Sequence, residues 1–222
     1  MLDRLYGVYG VGGCGRGVMP LVNKQLKMRN EYSTDVVFID DHFASSSANG
    51  YPVVSFNDFV NISAKEKLAT LAIADGAIRE LLANKCKENG VSFFSVEAPN
   101  CVIYDDVTIG EGSILCSGVS LTSNISIGKH FHANLNSYVE HDCVIGDFVT
   151  FAPGVKCNGQ IRIEDHVFIG AGAIIRQGSP AKPIVIGHKA CVGMGAIVLN
   201  DVAPNSTVVG VPAKRINKER QI

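Results

Sequence analysis

Two short stretches of this 222-residue chain hold residues whose types and spacing could do chemistry. One is Val139-Glu140-His141-Asp142-Cys143. An imidazole can take and return a proton near neutral pH, so His141 is a candidate general base, with the carboxylate of Asp142 directly beside it. The competing reading is an ordinary surface histidine, since His130, His132, His166 and His188 lie in the same half of the chain. The other stretch is Gly10-Val11-Gly12-Gly13-Cys14-Gly15-Arg16, which satisfies G-x-G-x-x-G between the apolar run at 5–9 and a helical pattern. Glycines at such a junction let the backbone turn tightly and bring its N–H groups and the positive end of the helix to a phosphate, where Arg16 adds a charge. A second apolar run, Asp35–Ile39, ends in Asp40-Asp41, and an acidic residue at that place holds a ribose in a Rossmann unit. Taken alone, this region reads as an NAD site.

The element that must position His141 is written in sixes. An aliphatic or small residue opens nearly every block: Ile103, Ile109, Leu115, Leu121, Ile127, Ala133, Val139, Ile145, Phe151, Cys157, Ile163, Ile169 and Ile175. Four residues after each opener comes a second small or apolar residue, from Val107 to Ser179, expected to point inward as well. A period of six is neither the 3.6 of a helix nor the 2 of a strand, and describes a coil of short strands separated by turns. Such a solenoid buries its openers in a continuous core and pairs every backbone edge except at the ends. The pattern resembles the hexapeptide-repeat transferases, which implies a left-handed parallel β-helix with three blocks to each triangular coil.

On that resemblance, residues eighteen apart lie over one another in adjacent coils, and Gly159 falls beside His141. A glycine there leaves room for a thioester and offers a backbone N–H to its oxyanion, and the family's oxyanion donor aligns with the same residue. The resemblance also implies that Asp142 bonds the imidazole, at a place where close members often carry Glu, and that Asn134 makes a polar contact in the active site. After Ile175 the period slips by five residues and resumes at Ile186, so an outward loop beginning near Gln177 is expected at a corner bordering the coenzyme. The ending Gly210-Val211-Pro212-Ala213-Lys214 resembles that of acyl-CoA-dependent members of this fold. Coenzyme contacts are expected at Gly159, Ala171, Gly172, Gln177, Gly193 and Lys214, with the basic tail from Lys214 onward toward the coenzyme phosphates.

About a hundred residues precede the solenoid, enough for one β-α-β-α-β half of a Rossmann domain and so for one nucleotide. Residues 68–73 read as a further strand, 75–89 as a helix stopped by Gly90, and 91–94 as another strand. The expected fold is an α/β half-Rossmann domain at 1–99 followed by a left-handed parallel β-helix at 100–222. A Gly-rich turn, the strand end Phe38-Ile39-Asp40-Asp41 and a hexapeptide solenoid together resemble the bacterial sugar acyltransferases of the NeuD and PglD type, closest to those that acetylate nucleotide 4-amino sugars. The resemblance implies that the small domain grips the nucleotide of an activated sugar through Gly10, Gly12, Gly13, Cys14, Gly15, Arg16, Asp40 and Asp41, with Asp41 on a pyrimidine base. It further implies a homotrimer with coenzyme A in the groove between adjacent solenoids.

Composition narrows the partners. Lys plus Arg is 20 against 21 for Asp plus Glu, which leaves no general attraction to nucleic acid or anionic membrane. No apolar run approaches the roughly 20 residues of a membrane span and no signal-peptide pattern opens the chain, so a cytoplasmic location is expected. Seven cysteines without a C-x-x-C pair argue against a disulfide framework or a zinc knuckle. His130 and His166 stand two coils apart, a spacing that resembles the ligands of γ-class carbonic anhydrases, but Ala171 occupies the place of the third ligand and no metal is expected. The expected function is acetyl-CoA-dependent N-acetylation of a UDP- or dTDP-linked 4-amino-4,6-dideoxy sugar, by direct transfer with His141 as base, in surface-glycan or glycoprotein sugar synthesis. O-acetylation of a sialic acid is one rival. A non-catalytic nucleotide-sugar-binding protein is another, and it would not need His141, Asp142 and Gly159 in register.

Overall fold

The computed structural model describes residues 2–29 and 35–216. It forms two compact units, one of Met1–Ala98 with Glu111–Ile114, the other of Pro99–Gly110 with Leu115–Ile222. The expected division at residue 99 leaves out the short return of 111–114 to the first unit. There the Val96 N–H donates to the Ser113 carbonyl at 2.8 Å, and the Ser113 N–H donates to Ser95 Oγ at 3.2 Å.

In the first unit the apolar run at 5–9 is the inner part of β1 (Leu2–Tyr9), whose Leu5, Tyr6, Val8 and Tyr9 are all buried, as a strand covered on both faces requires. It is followed by α1 (Gly13–Met28), β2 (Asp35–Ile39), β3 (Ser47–Ala48), β4 (Tyr51–Val54), α2 (Phe56–Asn61), β5 (Ala64–Leu71), α3 (Gly76–Glu88) and β6 (Ser92–Phe93). The sheet order is β3-β4-β2-β1-β5-β6, parallel apart from the β3–β4 hairpin. β5 begins four residues before the expected strand, and β6 is shorter than expected. Asp75 caps α3 by accepting from the Ala77 and Ile78 N–H groups, and Gly90, at φ +70, turns the chain away at its other end.

In the second unit the six-residue period becomes three stacked faces that fit a left-handed β-helix. One face holds His132–Ala133, Thr150–Phe151, Phe168–Ile169 and Cys191–Val192, the next Ser120–Leu121, Tyr138–Val139, Lys156–Cys157 and Ile174–Ile175, and the third Ile125–Ile127, Val144–Ile145, Ile161–Ile163 and Ile184–Ile186. Their parallel register pairs Leu121 with Val139 and Val139 with Cys157, an interval of eighteen. Openers from Leu115 to Ile175 are buried in one continuous core, while Ile103 and Ile109 at the first coil are only partly covered. Each corner turns through one residue in the left-handed region: Asn124, Asp142 and Gln160 at one corner, Asn136 with Gly154 and Gly172 at another, His130, Phe148 and His166 at the third.

The expected outward loop is present. Ile161 pairs with Ile184, an interval of twenty-three, so five residues are thrown out at that corner and closed by mutual hydrogen bonds between Ser179 and Lys182. Ser179, expected to point inward, is instead exposed in this loop, because the insertion takes its backbone out of the coil. Among the described residues no helix is long and apolar enough to cross a membrane.

Candidate active site

His141 lies on the corner between the face of Tyr138–Val139 and that of Val144–Ile145. Val139 and Cys143 point into the core on either side, so the alternation of the coil leaves the imidazole outside, with its side chain 46% exposed. Its Nδ1 is 2.7 Å from Asp142 Oδ2. With Nδ1–H donating to that carboxylate, Nε2 carries the lone pair and is the nitrogen able to accept a proton. The hydrogen bond to His141 is the main cause holding the Asp142 carboxyl below its ordinary range, against desolvation and with help from Asn124 and Gln160.

Gly159 is the residue over His141 in the next coil. A Cβ built on it would lie 2.6 Å from both Nε2 and Cε1 of the imidazole, so no side chain fits there without displacing the ring. The Gly159 carbonyl accepts from the Gly178 N–H at 3.0 Å, while among the described residues nothing accepts from the Gly159 N–H. An unengaged donor thus stands beside a proton acceptor. The loop leaves the solenoid over this point, since Gly178 bonds Gly159 and the Ile184 N–H donates to the Gln160 carbonyl at 3.2 Å.

The other expected contacts separate into two groups. Gln177 is exposed at the corner of His141. Asn134, Ala171, Gly172 and Gly193 lie at the preceding corner, the far end of the same face, where Asn134 Oδ1 accepts from the Leu135 N–H at 2.8 Å. One chain therefore does not bring Asn134 to His141. Between the two corners is a cavity of about 280 Å³ lined by Ser120, Thr122, Asn136, Tyr138 and Glu140 among others. Lys214 is exposed in the closing strand Lys214–Ile216, which pairs antiparallel with Thr207–Val209, and the tail from 217 lies outside the described residues. Of the competing histidines, His132 lies in a strand of the first face, and the others pack at the third corner, where His130 stacks on Phe148 at 5.0 Å, Phe148 on His166 at 5.4 Å, and His188 meets His166 edge-on.

In the first unit, the Gly-rich turn is built as a turn onto α1. Gly10 has φ +99, Gly12 is the N-cap without a side-chain cap, and Gly12 and Gly13 are exposed with open space where a Cβ would stand. Gly15 is different: a Cβ there would run into the Gly10 carbonyl, so only glycine lets the helix pack against the turn. Cys14 is half-buried and its thiol is pushed up by burial. Arg16 Nη1 donates to the Val11 carbonyl at 3.1 Å, and Asp40 accepts from the Val11 and His42 N–H groups at 3.1 and 3.0 Å. Both residues hold the turn together. Asp41 sits in a cluster that single-residue motifs do not reveal: its Oδ1 accepts from the Phe56 N–H at 2.7 Å, and its Oδ2 from Lys85 Nζ at 2.9 Å and the Tyr9 hydroxyl at 3.2 Å. Lys85 Nζ also stands 4.3 Å from the centre of the Phe56 ring.

The chain matches the family model described as the hexapeptide repeat of succinyl-transferase over residues 160–200. Over 96% of its length it is 43% identical to the GDP-perosamine N-acetyltransferase of Escherichia coli O157:H7, covering 97% of that protein. The solved structure of WeeI from Acinetobacter baumannii AYE is 52% identical, with a TM-score of 0.93 over 96% of this chain and 100% of that one. The acetyltransferase domain of PglB from Neisseria gonorrhoeae FA1090, solved with acetyl coenzyme A, is 26% identical with a TM-score of 0.85 over the same shares. The coil and these relatives define a hexapeptide-repeat acyltransferase. Within that class the chain belongs to the family of sugar N-acetyltransferases that includes GDP-perosamine N-acetyltransferase.

Proposed function

We propose that the chain transfers an acetyl group from acetyl-CoA to the 4-amino group of a nucleotide-linked 4-amino-4,6-dideoxy sugar, with His141 as the base. The observation that carries the mechanism is the stacking of Gly159 on His141, which sets a free backbone N–H beside the imidazole at a place where no larger residue fits. The sugar amine attacks the thioester carbonyl and His141 Nε2 takes its proton. The Gly159 N–H stabilises the oxyanion, and Asp142 offsets the charge of the imidazolium. Collapse of the tetrahedral intermediate expels the coenzyme thiolate, which recovers the proton from His141. A neutral amine is a competent nucleophile, so no acyl-enzyme is required. The cavity beside Glu140, with Ser120, Thr122 and Asn136 in its lining, offers hydrogen-bonding groups to the sugar hydroxyls.

The assembly is proposed to be a homotrimer. Gly159 and Gln177 lie at one corner of the solenoid, and Asn134, Ala171, Gly172 and Gly193 at another. A coenzyme that uses both groups needs the second corner from a neighbouring copy, and flat faces of short strands suit such packing.

In the first unit the Gly-rich turn would hold the diphosphate, in the manner of half a Rossmann domain, and Asp41 the base. A carboxylate has about four lone-pair positions, of which Asp41 already commits three, to Phe56, Lys85 and Tyr9. One N–H can still be accepted, which suits the single N3–H of uracil or thymine. Lys85 keeps a donor for the neighbouring carbonyl. A GDP sugar is the second reading, favoured by the 43% identical relative named for GDP-perosamine. Guanine presents two adjacent N–H groups and would need the Asp41–Lys85 contact to open. Incubation of the purified protein with acetyl-CoA and UDP-, dTDP- and GDP-linked 4-amino sugars, following release of free thiol, tests the whole reading. Thiol release with sialic acid in place of all three would overturn it.

A further inference from the structure

Asp142 is bonded from three directions. Besides the imidazole, Asn124 Nδ2 donates to its Oδ1 at 3.2 Å and Gln160 Nε2 donates to its Oδ2 at 2.8 Å. These two residues lie one coil before and one coil after it, at the same corner, with φ of +59, +59 and +60 along the column. The equal backbone geometry stacks three polar side chains, and the central one faces His141. Its side chain is 38% exposed, so without these amides water would compete for both oxygens and the carboxylate would turn among its rotamers.

We infer that Asn124 and Gln160 are positioning residues for the proposed base, acting through Asp142. This rests on the reading of His141 as the base. The chemistry of the donors fits the task. Primary amides orient a carboxylate without neutralising it, so its charge remains available to the imidazolium that forms as the amine is deprotonated. A lysine or arginine at either place would make the contact and spend the charge. The His141–Asp142 pair is local in sequence, but the geometry that aligns it comes from the coils on either side.

Glycine tolerates the left-handed conformation, so Asn124→Gly and Gln160→Gly remove the amides without backbone strain. In the full-length protein, the pair of substitutions should lower kcat by about 10- to 100-fold, the scale of misplacing a catalytic group by about an ångström, with KM for acetyl-CoA and for the sugar unchanged. In an Asp142→Gly background the same pair should cost nothing further, because the residue through which they act is gone. An equal loss in both backgrounds would show that they act on the coil and not on the carboxylate, and wild-type kcat in the Asn124→Gly/Gln160→Gly protein would also overturn the inference. His141→Ala separates this from the underlying reading. If that variant keeps turnover, the base assignment fails and the positioning role with it. If it is inactive while the amide variants turn over normally, only the positioning role fails.

Discussion

The α-carbon of Gly159 is stacked so closely on the His141 imidazole that a single added methyl group would lie 2.6 Å from Nε2. The size of residue 159 therefore controls access to the nitrogen proposed to take the proton. Gly159→Val should lower kcat/KM for acetyl-CoA by about 10- to 100-fold, by filling the thioester's place and displacing the ring. Nucleotide affinity, proposed to belong to the first unit, should be unchanged. Calorimetry with both ligands checks this, and equal loss of both in a folded protein would point to general distortion.

His141→Ala should lower turnover by about two to four orders of magnitude, the usual scale for losing a general base. The side chain is outside the core, so the thermal unfolding midpoint and the oligomeric state should match the wild type. Near-native turnover in the purified variant would remove the assignment.

How much of this was legible in the sequence differs by element. The coil was written plainly, because the core demands an apolar residue every sixth position, and the eighteen-residue register that brings Gly159 to His141 follows once three blocks make a coil. The same register also points to Asn124 and Gln160, eighteen residues before and after Asp142, but their amides resemble any polar corner residue until the side chains are seen to meet. Left-handed corners at Phe148 and Lys189 carried no signal, because neither residue type favours that conformation and stacking imposes it. Lys85 was invisible for another reason. It lies on α3, forty-four residues after Asp41, and joins it only through the sheet order that sets β1 between β2 and β5.

Removing residues 178–182 restores the eighteen-residue interval that the insertion interrupts, so the coil should still form. The loop emerges over Gly159, where Gly178 is hydrogen-bonded to it. The shortened protein should therefore show a higher KM for acetyl-CoA with a smaller change in KM for the sugar. Steady-state kinetics with each substrate varied in turn measures the split, and an unchanged coenzyme KM would make the loop a passive insertion.

The last prediction concerns Asp41 and Lys85. Burial works to raise the Asp41 carboxyl, but the hydrogen bonds from Lys85 and the Phe56 N–H, with the Lys85 charge, outweigh it and hold the group below its ordinary range. A depressed carboxyl is ionised above its ordinary value and loses its accepting lone pair only as pH falls through the depressed one. Nucleotide affinity should therefore stay level from neutral into mildly acidic solution. Asp41→Asn puts a donor where an acceptor is required and should weaken nucleotide binding by roughly 1 to 3 kcal/mol, without changing acetyl-CoA binding. Lys85→Met tests the lone-pair count directly. It frees one position on Asp41 Oδ2 and removes the donor to the base carbonyl, so UDP and dTDP should bind more weakly while GDP gains relative to them. Calorimetric titration of the wild type and both variants with UDP, dTDP, GDP and NAD reads all of this. Wild-type preference for GDP would replace the pyrimidine reading with a guanine one, and tight NAD binding in place of all three would overturn the assignment of the first unit to a sugar nucleotide.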